Sequence, residues 1–180
     1  GLFLLFEDED DLVVLDQHAA HERVTFERLR AQLTGGRVSS QRLLAPHQVE
    51  LGPAEAERIA ALEEELSRLG LEISRSGPDR IAVRSLPAEI ANGSPDRLLA
   101  EMVLALEEGR EGSRGERDEH VLATMACHSS IRGGQRVTPD EVRALLTEMD
   151  RTENAGHCPH GRPVLARIPW REIRKRVGRG

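Results

Sequence analysis

A short apolar run, Leu12-Val13-Val14-Leu15, passes without a turn signal into Asp16-Gln17-His18-Ala19-Ala20-His21-Glu22-Arg23-Val24-Thr25-Phe26-Glu27. This junction constrains the fold more than any other feature. β-branched residues followed by an N-capping aspartate and a long run without Gly or Pro specify a strand that turns directly into a helix. The same segment crowds one aspartate, two histidines and two glutamates into about three helical turns. A second cluster, His157-Cys158-Pro159-His160, lies near the other end of the chain.

The rest of the pattern is mixed α+β. Leu2–Phe6 and Leu12–Leu15 flank an acidic turn and read as a β-hairpin. A helix is expected from Gln17 to about Leu33, ended by Gly35-Gly36, and Val38–Leu51 reads as extended with Pro46 interrupting. Pro53 opens a predicted helix over Ala54–Leu69 that Gly70 closes, with Ile59, Leu62, Leu66 and Leu69 on one face. Leu71–Ser74 and Ile81–Ser85 read as paired strands. Ser94 and Pro95 start a helix to about Glu108, Gly109–Gly115 reads as a linker, and a helix from about Glu116 to Ile131 ends at Gly133-Gly134. Thr138-Pro139-Asp140-Glu141 is a capping box. A loop over Gly156–Pro163, a strand at Val164–Ile168 and a helix at Trp170–Val177 complete the chain. The expected arrangement is two-lobed: residues 1–50 and 111–180 form one lobe, and residues 51–110 are inserted as a regulatory lobe.

With 180 residues there is room for one domain or two small lobes. Aromatics are only 2%, so the core must be built from Leu, Val, Ile and Ala. No apolar run approaches the about 20 residues of a membrane helix. Gly1–Phe6 is too short for a signal peptide, lacks its basic flank and reads as a strand cut short at its start. Cys127 and Cys158 sit among histidines and acids, which fits a reduced compartment and metal ligation better than a disulfide, although a bridge between them stays open. The net charge of −6 is unlike that of a free-standing DNA binder, so nucleic-acid contact should be local or assisted. Arg171, Arg174, Lys175, Arg176 and Arg179 read as the solvated end of an amphipathic helix.

His18 and Glu22 are four residues apart and share a helix face, with Asp16 at the cap beside them. Glu27 follows about one and a half turns later, and His21 is rotated partly away. Imidazole and carboxylate together chelate first-row metals, though amphipathic helices often carry such a pair for no chemical reason. Cys158-Pro159-His160 followed by Gly161-Arg162-Pro163 makes a rigid presenting loop, whose plainer reading is a buried thiol and a surface histidine. Cys127-His128 offers a further ligand, or a core cysteine packed against Met125 and Leu122. In combination the set suits zinc through its thiolates and manganese or magnesium through its carboxylates. Such a site fits metal-assisted phosphodiester hydrolysis, in which bound water is activated and transition-state charge neutralised. Arg162 is placed to hold a phosphate.

These residues carry a resemblance. Asp16-Gln17-His18-Ala19-x-x-Glu22-x4-Glu27 resembles the nuclease motif of the C-terminal domain of MutL-type DNA mismatch repair proteins. Cys158-Pro159-His160-Gly161-Arg162-Pro163 is similar to a second element of that family. Ala126-Cys127-His128 is similar to a third, with His where others carry Arg or Lys. The three stand in the family's order and cover nearly the whole chain. The resemblance implies a latent, metal-dependent endonuclease, with Asp16 and Glu22 as essential carboxylates and His18, Glu22, Cys127, Cys158 and His160 as metal ligands. Glu27 and His128 would be accessory. It further implies a C-terminal fragment whose family ATPase lies in a separate N-terminal domain, a homodimer formed through the site-bearing lobe, and residence in the bacterial cytoplasm with the nucleoid. DNA is the implied substrate, and the full-length protein would meet a mismatch-recognition protein of the MutS type. Gln41-Arg42-Leu43-Leu44-Ala45-Pro46 resembles the motif by which such domains bind the replication sliding clamp, with Gln41, Leu43, Leu44 and Pro46 as its contacts. An extended segment with a polar anchor and adjacent leucines can plug an apolar groove; the plainer reading is an edge strand before Pro. Two other functions compete. One is a dimerisation and docking module whose zinc is structural; the other is a zinc-dependent hydrolase of small molecules.

Overall fold

The computed structural model describes residues 2–129 and 137–179. In chain order these form β1 (Phe3–Glu7), β2 (Asp11–Asp16), α1 (Gln17–Thr34), β3 (Ser40–Glu50), α2 (Pro53–Ala60), α3 (Glu63–Arg68), β4 (Glu72–Gly77) and β5 (Arg80–Pro87). They continue as α4 (Pro95–Glu108), α5 (Arg114–Ser129), α6 (Pro139–Met149), β6 (Leu165–Pro169) and α7 (Trp170–Arg176), with 3-10 turns at Ala88–Ile90 and Gly109–Glu111. The fold is mixed α+β with two three-stranded antiparallel sheets. Contacts divide the chain into two compact units: Gly1–Val24 with Ser130–Gly180, and Thr25–Ser129. Positions 51 and 110, expected as lobe boundaries, both fall inside the second unit.

The first unit is built on the sheet β1-β2-β6. β1 and β2 pair from Phe3↔Asp16 to Glu7↔Leu12, and β2 and β6 pair from Asp11↔Pro169 to Leu15↔Leu165. Side chains alternate across a strand. Leu4 and Phe6 accordingly pack on a core of Leu15, Ala19, Ala20, Val24, Leu145 and Met149, while Phe3 and Leu5 are exposed. α6 begins in the expected capping box: the Glu141 N–H donates to the Thr138 hydroxyl, and the Glu141 carboxylate accepts from the Thr138 N–H at 2.6 Å. That backbone bond, helped by the Thr138 hydroxyl, holds the Glu141 carboxyl below its usual range.

The second unit packs its sheet, β3-β5-β4, beneath α2, α3, α4 and α5 around a core that includes Leu66, Ile81, Leu86, Leu99, Met102 and Met125. β5 is central and carries a nearly continuous apolar run, as a strand covered on both faces must. The β3–β5 register shifts between Arg42 and His47. Proline has no N–H to give the ladder, and Leu43-Leu44-Ala45-Pro46 bulges out of the pairing.

Three expectations need correction. The helix predicted over Ala54–Leu69 is broken into α2 and α3, with a tight turn at Leu62 whose N–H donates to the Ile59 carbonyl at 3.0 Å. The break puts Glu63, Glu64 and Glu65 in the first turn of α3, where the helix dipole favours acids. The segment read as a linker is a 3-10 turn followed by a second capping box, in which the Ser113 hydroxyl accepts from the Glu116 N–H and the Glu116 carboxylate accepts from the Ser113 N–H. Ser94 stands at the start of α4 but its side chain makes no capping bond. The end of the helix expected at Gly133-Gly134 lies outside the described residues.

α3 ends in a Schellman motif. The Leu71 N–H donates to the Leu66 carbonyl at 2.9 Å and the Gly70 N–H to Ser67 at 3.0 Å, with Gly70 at φ 84°. A Cβ here would meet Ser39 O at 3.2 Å and Pro87 Cα at 3.3 Å. Gly70→Ala should therefore lower the unfolding free energy by about 1–2 kcal/mol, read from the urea midpoint.

Candidate metal centre

Two segments from opposite ends of the sequence meet at one end of the β1-β2-β6 sheet. β2 delivers Asp16, whose N–H donates to the Val164 carbonyl at 2.8 Å. The Asp16 carboxylate accepts the N–H groups of His18 at 2.9 Å and Ala19 at 3.1 Å through one oxygen. This is the N-cap expected from sequence, and it fixes where α1 begins. One turn further along α1, Glu22 is buried at 5% exposure. A His18 ring nitrogen and a Glu22 oxygen come within 4.8 Å, as their spacing of four requires.

The second segment, Gly156–Val164, is tied down by its own backbone. The Val164 N–H donates to Gly156 O at 2.9 Å, Cys158 N–H to Arg162 O at 2.8 Å and Gly161 N–H to Cys158 O at 2.9 Å. Pro159 follows the first residue of this turn and Gly161 closes it at φ 81°, the backbone region that an L side chain resists. The loop presents the Cys158 thiol inward, 1% exposed, and leaves His160 at the surface. His160 Nδ1 is 3.5 Å from Glu22 Oε1, and one ligand atom each from Glu22, Cys158 and His160 lie within 4.8 Å of one another. Cys158 is thus a buried thiol and His160 an exposed histidine, as the plainer reading had it, yet they converge on one carboxylate.

Arg23 joins the segments and escaped the sequence reading. It is 9% exposed; its Nε donates to the His157 carbonyl at 2.6 Å and its Nη2 to the Cys158 carbonyl at 3.0 Å. A guanidinium forks two donors in a fixed plane, which suits two successive carbonyls. No spacing rule links Arg23 to a loop 134 residues away. Nothing in the sequence set it apart from Arg28 and Arg30 on the same helix.

Glu27 belongs to the second unit and pairs with Arg30 at 3.4 Å. Cys127 is on α5 in the same unit and is exposed, so it is not the core cysteine that Met125 and Leu122 make. His128 beside it contacts the Glu101 carboxylate. Burial pushes the Glu101 carboxyl up, but its bonds to Arg97 and His128 outweigh that and leave it below its usual range. Neither thiol is in a disulfide. Arg162 is exposed. Gln41, Leu43, Leu44 and Pro46 line the bulge of β3.

A carboxylate, a thiol and an imidazole within 4.8 Å form a donor set that can hold a metal ion. Donors around a four-coordinate zinc stand about 3–4 Å apart, given metal bonds near 2.0–2.3 Å. The residues therefore fit such an ion after small rotations, and the exposed His160 is free to make them.

Residues 1–137 match the family described as MutL C terminal dimerisation domain. Over 178 residues, 98% of this chain, it is 41% identical to the DNA mismatch repair protein MutL of Phenylobacterium zucineum (strain HLK1) and to that of Caulobacter vibrioides (strain NA1000 / CB15N). It is 42% identical over the same length to that of Rhodopseudomonas palustris (strain BisB5). The chain spans 29%, 28% and 30% of those three proteins, less than a third of each.

Arg23→Lys keeps the charge but loses the fork. It should lower metal affinity by about 10- to 100-fold, as loss of an outer partner of a metal ligand does, in titrations against a competing chelator.

Proposed function

This chain belongs to the family of MutL C-terminal dimerisation domains, and on that premise we propose that its first unit is a metal-dependent endonuclease site that nicks DNA and also joins two copies of the protein. The observation that carries the reading is the convergence of Glu22, Cys158 and His160 on α1, the helix that Asp16 caps. Glu22, Cys158 and His160 would hold zinc or manganese, with magnesium as a substitute, and His18 would add a donor. A bound ion there supplies an acidified water and offsets phosphate charge. Asp16, fixed by its two backbone bonds, takes a proton from the attacking water. Arg162 binds a phosphate oxygen of the strand to be cut.

A specific observation favours the rival reading, a docking module with a structural metal: Cys158 and Glu22 are buried, and one Asp16 oxygen is spent on the cap. Asp16→Asn separates the two, because Asn caps a helix as well as Asp does. In the full-length protein this variant should keep its dimer and its metal content while manganese-supported nicking of supercoiled plasmid falls at least about 100-fold. Nicking at the wild-type rate would sink the catalytic reading and leave the docking module.

The dimer reading rests on the outer face of the first sheet. Phe3 and Leu5 are 53% and 64% exposed, and their strand neighbours Leu12, Val14, Ala166 and Ile168 extend an apolar surface across β2 and β6. A contiguous apolar patch of this kind marks an interface, and a second copy of the chain supplies the matching face. In the full-length protein this domain would act downstream of a MutS-type mismatch-recognition protein.

The clamp reading rests on the bulge in β3. Leu44 is fully exposed there, whereas Leu43 is partly buried against the core of the second unit. Leu44 is thus the residue offered to a groove and Leu43 the one that anchors the bulge. Leu44→Ala should weaken binding of the replication clamp at least about tenfold without changing the urea midpoint. Equal clamp affinity for variant and wild type, by surface plasmon resonance, would remove this segment from the account.

A further inference from the structure

The chain carries 31 acids against 25 Lys and Arg, and most of its arginines lie within ion-pair distance of a carboxylate or bond to carbonyl groups. The last helix gathers several that do not. Among the described residues Arg171, Arg174, Lys175 and Arg179 have no carboxylate within 4.0 Å, and only Arg176 is paired, to Glu172 at 2.7 Å. All five cations are exposed. Arg171, Arg174 and Lys175 are spaced three and four apart and share one face of α7.

This helix is held in place by its neighbours. The Trp170 N–H donates to the Asp10 carbonyl at 3.0 Å and the Trp170 indole to the Asp8 carbonyl at 3.0 Å. Arg167, on the strand before it, pairs with Asp8 at 2.6 Å. A cavity of about 320 Å³ between the hairpin turn and α7 is lined by Glu9, Asp10 and Asp11 on one side and Arg171 and Arg174 on the other. These acids come near without pairing with either arginine.

The strand register fixes where the cations stand relative to the candidate metal centre. β6 starts at Leu165, opposite Leu15 and next to Asp16, and ends at Pro169, opposite Asp11. Four residues of strand at about 3.3 Å each separate the two ends by about 13 Å. That is about four base-pair steps of duplex DNA. A duplex whose phosphate sits at the metal centre therefore has further phosphates within reach of α7.

We infer that the Arg171, Arg174 and Lys175 face of α7 is a DNA-backbone contact that flanks the cutting site. It is sequence-independent, since it offers cations and no groove-reading element. The acidic turn at its edge keeps it weak, which suits an enzyme that must be delivered to its substrate. The inference rests on the proposed function in taking duplex DNA as the partner, and its test does not involve cutting.

The full-length protein is titrated with fluorescein-labelled duplex by anisotropy in EDTA over a range of salt concentrations. Each phosphate contact adds about 0.9 to the slope of log K against log salt. The triple variant Arg171→Gln, Arg174→Gln, Lys175→Gln should show a slope smaller by about 2–3. The variant Arg171→Lys, Arg174→Lys should keep the wild-type slope. An unchanged slope in the glutamine variant overturns the inference, and so does equal loss in both variants, which would mean that α7 packing and not its charge was at stake. Asp16→Asn should bind with the wild-type slope, so failure of the catalytic reading and failure of this contact are told apart.

Discussion

The fork of Arg23 onto the carbonyls of His157 and Cys158 is the interaction on which the candidate centre depends. A thiol 1% exposed and a carboxylate 5% exposed approach one another only if the loop that carries the thiol is pinned to the helix that carries the acid. Backbone bonds within the loop set its shape, and Arg23 and the Asp16–Val164 bond help fasten that shape to α1 and β2. A buried guanidinium needs acceptors, and the two successive loop carbonyls supply them in the plane of its fork. Adjacent residues of one helix thus serve opposite ends: Glu22 faces the ligand atoms and Arg23 holds the frame.

The two units use their surfaces differently. In the first, apolar side chains cross the outer sheet face while cations gather on the last helix, so one surface suits a protein partner and the other a polyanion. In the second, the core is large and continuous, and one of its departures from regular pairing is a bulge that pushes one leucine fully into solvent. An exposed leucine on a bulged strand is costly unless something covers it, and the register shift is what makes it available.

What was legible in the sequence follows the range of the forces involved. The hairpin, the start of α1 at Asp16 and the capping box at Thr138 were readable because each is set by neighbours within a few residues. Ser113-x-x-Glu116 was equally local but was hidden by the Gly and Arg around it, which read as a linker. The break between α2 and α3 was not readable from periodicity, since Ile59, Leu62, Leu66 and Leu69 keep an apolar face on both sides of it. Cys158 and His160 were identifiable by type and spacing, and Glu22 as one of several acids. Its burial, and the partnership with Arg23, depend on a contact between segments far apart in the chain, which no local pattern encodes. Cys127 was identifiable by type, while its apolar neighbours left a core position open, and only the fold shows that the helix exposes it.

The pairing of β2 with β6 also sets an order of events. Asp16 is made early in this domain, while Cys158, His160 and the strand that closes the sheet come close to its end. Until residues near 169 have left the ribosome, the hairpin lacks its third strand and the carboxylate of Glu22 lacks the Cys158 thiol and the His160 ring. Contacts between segments so distant form late and slowly. A nascent or truncated chain therefore carries the acids but not the centre, so a nuclease site would come into being only in a finished domain.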